Sequence, residues 1–186
     1  VVSAPSGSGK TTLCAKLVES LKNLSRSISM TTRPPRAGEV DGMDYIFIEE
    51  SEFLKRKQKN EFLEWAKVFD EYYGTPKKYI QHILKKGQDA ILSIDVQGAM
   101  KLKNKIECTY IFISPPSIDI LKERMEKRAD IDEKEIEKRM SWANEEMKQI
   151  PNYDYNITNI DLDISYEVLR SIFIAQEHKV KNLKNW

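Results

Sequence analysis

Lys10, Thr11 and Thr12 follow a run of small residues, Pro5-Ser6-Gly7-Ser8-Gly9, which is itself fed by the apolar pair Val1-Val2. Residues of these types in this order could hold a polyphosphate. Gly9, Lys10 and Thr11 fit the close of a Gly-x-x-x-x-Gly-Lys-[Ser/Thr] loop, with Ala4 at the first glycine position. Ala4 is compatible with the loop if its φ is negative, since only positive φ calls for glycine there. Backbone N–H groups around Gly7 and Gly9 can wrap an anionic oxygen, and a helix opening near Lys10 adds the positive end of its dipole. A nucleoside triphosphate is the natural occupant, with Pro5 through Thr12 as its contacts. An ordinary Gly/Ser turn with a solvated lysine would not need what comes next. Leu13, Leu17 and Leu21 recur at i, i+4 and i+8, with Ala15 and Val18 beside them, and predict the amphipathic helix that the motif requires.

Arginine supplies the second chemical signal. Of eight arginines, five fall in two places: Arg33 and Arg36 in one, Arg124, Arg128 and Arg139 in the other. A guanidinium fork suits bidentate phosphate binding, whereas the lysines are scattered as solubilising charge would be. One cluster could hold an acceptor phosphate and the other the transferring one. For any single arginine of the second group, i,i+4 pairing with Glu123, Glu126 or Glu135 is the simpler reading, but not for all three.

These side chains need elements to position them. Val1-Val2, Ala90 to Ile94, Thr109 to Ile113 and Tyr155 to Thr158 read as buried parallel strands, each flanked by a helical pattern, which spells a parallel sheet covered by helices. Between the first helix and the Ala90 strand, Pro-Pro, Ala-Gly and Asp-Gly punctuation with alternating Tyr45 and Phe47 predicts a small β-rich insertion, with a helical patch near Ser51 to Lys59. After Pro115-Pro116, Ser117 can cap a helix with Leu121 and Met125 on one stripe and Arg124 and Arg128 on the adjacent one. The stretch ADIDE breaks the pattern, and a longer helix resumes with Ile136, Met140, Ala143 and Met147 on one face and Arg139 at its rim. Helix, polar break, helix, with arginines to one side, is how a mobile lid over phosphates could be built. From Tyr166 to about His178, Val168, Leu169, Ile172 and Phe173 pack a final surface helix. By composition alone Tyr45 and Tyr73 read as core residues and Glu64 as a helix surface charge.

The chain has 186 residues, enough for one α/β domain and too few for two. A net charge of +1 argues against a nucleic-acid or membrane-surface partner. Two cysteines, Cys14 and Cys108, and two histidines make no zinc spacing; both thiols stand in apolar contexts that favour burial, and a reducing cytoplasm fits. No run approaches ~18 apolar residues and the first residues do not read as a signal peptide, so neither membrane insertion nor secretion is expected. Val1 stands inside the first strand, so the expectation is that a few residues precede it.

Taken in order, SAPSGSGKTT, SMTTRPPRAGEVDGMDY, EFLEWAKV, YYGTP, IDVQG and PPS before an arginine-rich helix resemble guanylate kinase, along essentially the whole chain. The resemblance implies an α/β fold: a three-layer α/β/α P-loop NTPase core with a parallel sheet (1–27, 81–116 and 149–186), a small mixed β/α GMP-binding insertion (28–80) and a helical lid (117–148). It implies that Arg33, Arg36, Tyr45 and Tyr73 hold the GMP phosphate, that Glu39 steadies the second arginine, and that Glu64 reads guanine with Ser29 and Thr75. It further implies that Asp95, at the close of AILSID, holds Mg²⁺ through water or touches the bound nucleotides. Asn159 would flank the adenine of ATP, and Arg124, Arg128 and Arg139 would close on the triphosphate. This chain carries Ser93 and Ile160 where family members often have acidic residues.

The expected reaction is Mg²⁺-dependent, reversible transfer of the γ-phosphoryl group of ATP to GMP. Lys10, Arg36, Arg124, Arg128 and Arg139 would form the catalytic set, and Thr11 would ligate Mg²⁺. The expected partners are ATP and GMP alone, with the protein a cytoplasmic monomer or weak homo-oligomer. The reading from another class is a guanylate-kinase-like protein-docking module; in those the P-loop is typically degraded, while Lys10, Thr11 and Glu64 are all present here.

Overall fold

The computed structural model of the chain describes residues 1–103, 105–127 and 133–179. In chain order, the elements are β1 (Val2–Ser3), α1 (Lys10–Ser20), β2 (Leu24–Arg26), β3 (Met30–Thr31), β4 (Ile46–Phe47), α2 (Glu50–Gln58), β5 (Phe62–Val68), β6 (Glu71–Pro76) and α3 (Lys77–Lys85). There follow β7 (Asp89–Ile91), α4 (Val96–Leu102), β8 (Ile111–Ser114), α5 (Ile118–Glu126), α6 (Glu133–Met147), a single 3₁₀ turn at Ile150–Asn152, β9 (Tyr155–Thr158) and α7 (Leu162–Glu177). Packing divides them into two compact units, one of residues 1–20 and 108–186, the other of residues 21–107.

In the first unit, β1, β8 and β9 form a parallel sheet in that order. Val2 and Ser3 pair with Ile111 and Phe112, and Ile111 to Ser114 pair with Tyr155 to Thr158. Val2, Phe112, Ile113 and Ile157 are buried, as strands covered on both faces must be. The register brings the loop after Ser3 and the residue after Thr158 to the carboxyl end of the sheet, where α/β proteins place ligands. α1 buries Leu13, Cys14 and Leu17 and stops at Ser20, one residue short of the expected Leu21. Leu121 and Met125 of α5 close a small core with Ile136 and Ala143 of α6, and Met140 packs against it. Ser117 caps α5 as expected, its Oγ accepting from the Ile120 N–H at 3.1 Å. α7 begins four residues before the expected Tyr166, because Asp161 caps it by accepting from the N–H groups of Asp163 and Ile164. Leu169 faces the core, but Val168, expected to pack, is exposed.

The second unit holds β2 parallel to β7, and a four-stranded sheet in the order β4-β3-β6-β5. β2 was not foreseen, since Leu24-Ser25-Arg26 offers one apolar residue and no alternation; its partner β7, in register from Leu24↔Asp89 to Arg26↔Ile91, makes it a strand. β3 and β4 are parallel, while β3/β6 and β5/β6 are antiparallel. Phe53 of α2 stacks on Phe62 (4.5 Å between ring centroids) and on Tyr72 (5.2 Å). Full burial of a phenylalanine stabilises by roughly 1.5–3 kcal/mol, so this stack anchors α2 to the sheet.

Glu64 and Cys108 also depart from expectation on burial. EFLEWAKV is strand β5, so Glu64 is not a helix surface charge; the burial of alternate residues Phe62, Glu64 and Ala66 turns it inward. Cys14 is buried as expected, but Cys108 lies ahead of β8 and is exposed.

Candidate active site

In the first unit, the loop from Ala4 to Gly9 joins β1 to α1. Gly7 and Gly9 both take φ of +90°, which favours glycine, whereas Ala4 is absent from the positive-φ positions. The departure at Ala4 is therefore accommodated. A turn closes with the Ser8 N–H donating to the Pro5 carbonyl at 3.1 Å. α1 opens at Lys10, so Lys10, Thr11 and Thr12 form its first turn, where backbone N–H groups lack intrahelical acceptors. Thr11 and Thr12 are exposed there. Ser8 is fully buried, and among the described residues its Oγ has no hydrogen-bond partner.

Three predicted residues gather on this loop. The Asn159 side-chain amide, 4% exposed, donates to the Ser8 carbonyl at 2.8 Å. Arg124 of α5 donates from Nη2 to the Asn159 carbonyl at 3.0 Å. Arg139 of α6 donates from Nη1 to Ser6 Oγ at 3.3 Å, while Glu135 takes its Nε and Nη2, each at 2.9 Å. Arg139 is thus buried against the loop rather than standing at a helix rim: one helix turn separates it from Glu135, and the pair turns inward together. Arg128 lies outside the described residues.

In the second unit, Arg33 is fixed on two sides. Its Nη2 donates to both carboxylate oxygens of Glu39, at 2.8 and 2.9 Å, and its Nη1 to the Pro34 carbonyl at 2.6 Å. Glu39 also accepts from the Arg36 backbone N–H at 2.7 Å. The acidic residue thus engages the first arginine through its guanidinium and the second, Arg36, through its backbone N–H. Arg36 itself is exposed. The Arg33 guanidinium lies 5.6 Å from the Tyr45 ring centroid, and Tyr45 meets Tyr73 edge-on at 5.9 Å. Burial pushes both phenols above their ordinary range, so both are O–H donors at neutral pH.

Glu64 and Thr75 face each other across β5 and β6, and Thr75 Oγ1 donates to Glu64 Oε1 at 2.5 Å. Both are buried, as is Ser29 just before β3. Burial pushes the Glu64 carboxyl up to about 7; Thr75 and Lys101 counter it, and the charge of Asp95 adds to it. Asp95 is the N-cap of α4, its oxygens accepting from the Gln97 N–H at 3.0 Å and the Gly98 N–H at 3.1 Å. The sequence left Gly98 without a role beyond its place in IDVQG, although a glycine inside a helical pattern carries a cost that asks for a packing reason. It also passed over Lys101, whose Nζ donates to the Trp65 carbonyl at 2.6 Å.

The first unit thus presents a glycine loop with arginines on it, and the second a buried carboxylate paired with Thr75 and, separately, an arginine grouped with two phenols. The guanylate kinase family model matches residues 1–176. The chain is 48% identical over its full length to a guanylate kinase of Caldanaerobacter subterraneus, covering 90% of that protein, and 46% identical over its full length to one of Clostridioides difficile, covering 91%. Its fold matches the crystal structure of guanylate kinase from Anaplasma phagocytophilum with a TM-score of 0.80 at 33% identity, over 96% of this chain and 85% of that one. The likeness of sequence and of fold runs along nearly the whole chain, and the chain belongs to the guanylate kinase family.

Proposed function

We infer that this chain is an ATP:GMP phosphotransferase, reversibly moving the γ-phosphoryl group of ATP onto the phosphate of GMP to give ADP and GDP. The observation that carries the choice of acceptor is the seat of Glu64. A buried carboxylate is costly unless a partner uses it. Guanine offers N1–H and a 2-amino group side by side, whereas adenine would set a bare N1 lone pair against the carboxylate.

No general base is needed, because the acceptor phosphate is ionised at neutral pH; catalysis is positioning and charge neutralisation. Arg33, Arg36, Tyr45 and Tyr73 hold the acceptor phosphate, with Glu39 fixing Arg33. Ser29 and Thr75 complete recognition of the base. Residues 5–12 bind the triphosphate, Lys10 bridging its β- and γ-oxygens, and Asn159 flanks the adenine. Arg124, Arg128 and Arg139 balance charge on the moving group.

The donor set suits Mg²⁺. In this reading the exposed Thr11 hydroxyl at the first turn of α1 serves as a hard oxygen ligand, and the Asp95 carboxylate, which accepts from two backbone N–H groups, as an outer, water-mediated one. Among the described residues no cluster of three or more His, Cys, Asp or Glu forms a metal cage, and Mg²⁺ carried on nucleotide phosphates requires none. When bound it neutralises charge on the transferring phosphates.

In this reading residues 28–80 serve as the acceptor-binding element and 117–148 as the lid, on a core of 1–27, 81–116 and 149–186. The protein acts in the cytoplasm as a monomer or weak homo-oligomer; among the described residues no helix is long and apolar enough to cross a membrane. The test is ADP formation with ATP and Mg²⁺ in the presence of GMP, AMP, dTMP or no acceptor. Turnover with GMP alone is expected. A folded protein that binds GMP and turns over no acceptor would point instead to a docking module.

A further inference from the structure

Gly98 lies in the first turn of α4, a short helix that packs on β5, and is buried there. Its φ is not among the positive ones, so backbone conformation does not demand glycine. Inside a helix, glycine is normally a cost relative to alanine. What it meets is the reason for its presence. A Cβ at Gly98 would lie 2.3 Å from Glu64 Oε2, 3.1 Å from Glu64 Cδ and 3.0 Å from Asp95 Oδ1. Real contacts of a Cβ do not reach 2.3 Å, so the carboxylate would have to leave its place.

The helix cannot readily retreat instead. In its last turn Lys101 Nζ donates to the Trp65 carbonyl on β5. Gln97 Nε2 reaches the Lys67 carbonyl of the same strand at 3.4 Å. On its far side the Glu64 carboxylate is held by Thr75 Oγ1, whose residue is fully buried. Glu64 is therefore clasped between a hydroxyl and a space that exists only because residue 98 has no side chain.

We propose that Gly98 is a positioning residue for guanine recognition: its missing side chain sets where the Glu64 carboxylate stands. The inference rests on Glu64 as the reader of guanine. A methyl group at position 98 tilts the carboxylate off the line of two parallel hydrogen bonds while leaving the phosphate ligands and the P-loop untouched. The Asp95 cap is a second consequence of the same turn, since the N–H that fixes it belongs to Gly98.

The experiment compares Gly98→Ala, Glu64→Gln, Glu64→Ala and the double variant Glu64→Ala with Gly98→Ala, each assayed with GMP, ATP and Mg²⁺ and by thermal unfolding. Gly98→Ala is expected to raise KM for GMP about tenfold or more, with kcat and KM for ATP within about threefold. In the Glu64→Ala background the 2.3 Å clash is gone and only the 3.0 Å approach to Asp95 Oδ1 remains, so adding Gly98→Ala is expected to lower the unfolding midpoint much less than it does in the parent. That second comparison decides the matter even if Gly98→Ala by itself fails to fold. KM for GMP within twofold of the parent in a folded Gly98→Ala variant overturns the proposal. So does equal destabilisation by Gly98→Ala in the presence and absence of the Glu64 side chain. Glu64→Gln with unaltered KM for GMP would remove the guanine reader itself and the proposal with it, a failure told apart from the others because the stability coupling would remain.

Discussion

The side-chain amide of Asn159, at the end of β9, donates to the backbone carbonyl of Ser8, in the middle of the phosphate loop, at 2.8 Å and in a buried setting. A Cβ on Gly9 would stand 2.4 Å from the same nitrogen, so the loop's glycine and the asparagine share one space. The carbonyl of Asn159 in turn accepts from Arg124. One residue therefore ties the glycine loop between β1 and α1 to α5 through Arg124.

Asn159→Ala leaves the Ser8 carbonyl buried without its donor, at a cost of about 1–3 kcal/mol. Asn159→Asp sets a carboxylate against that carbonyl and is expected to be worse than alanine. Thermal unfolding with and without ATP would show both a lower midpoint and a smaller shift by ATP. Equal midpoints for parent and Asn159→Asp would exclude the tie as a stabilising contact.

As the proposed reader of guanine, Glu64 is expected to make GMP binding pH-dependent. Its carboxyl is pushed up to about 7 by burial, while guanine's two donors require the ionised form. KM for GMP is expected to rise about tenfold per unit of pH below 7, and Glu64→Gln should lose this limb while keeping the one near 6 from the phosphate of GMP.

The same shift sets a sign for stability. A carboxyl whose folded-state value lies above its unfolded one favours the folded state fully below about 4.5 and loses that contribution as pH rises through about 7. Glu64→Gln should therefore stabilise the ligand-free protein at pH 8, by at most roughly 3 kcal/mol. Urea titrations at pH 5 and pH 8 measure it, and a gain confined to pH 5 would contradict the assignment.

Arg139 reaches Ser6 while Glu135 grips two of its nitrogens. Arg139→Lys keeps the charge but loses the fork. Both Arg139→Lys and Arg139→Ala are expected to lower kcat, the alanine roughly a thousandfold, with KM for GMP changed only a few-fold. Arg128→Ala should do likewise; unchanged turnover would take Arg128 off the catalytic list.

Glu39 fixes Arg33 through both carboxylate oxygens. Glu39→Ala releases the guanidinium, and KM for GMP is expected to rise about tenfold, the effect of weakening a charge-assisted hydrogen bond. Stability should change by no more than about 1 kcal/mol, as for a partly exposed ion pair. Stopped-flow binding of GMP together with thermal unfolding would separate the two effects.

Local chemistry was legible in the sequence. The loop, the helix after it, the Ser117 cap, the Leu121/Met125 stripe and the strand at Tyr155 to Thr158 follow from spacing, caps and periodicity, which act over a few neighbouring residues. The ordered motifs named the family, and through it the arginines and Glu64. What the residues could not reveal depended on partners distant in sequence. Leu24–Arg26 is a strand only because Asp89–Ile91 lies beside it. Glu64 is buried only because β5 pairs with β6 and brings Thr75 to its oxygen. Arg139 turns inward because Ser6, more than a hundred residues away, waits there, and Gly98 matters because α4 presses on a strand some thirty residues earlier. Periodicity can say that a side chain has a buried face; only packing brings a hydroxyl, an amide or an empty space to meet it.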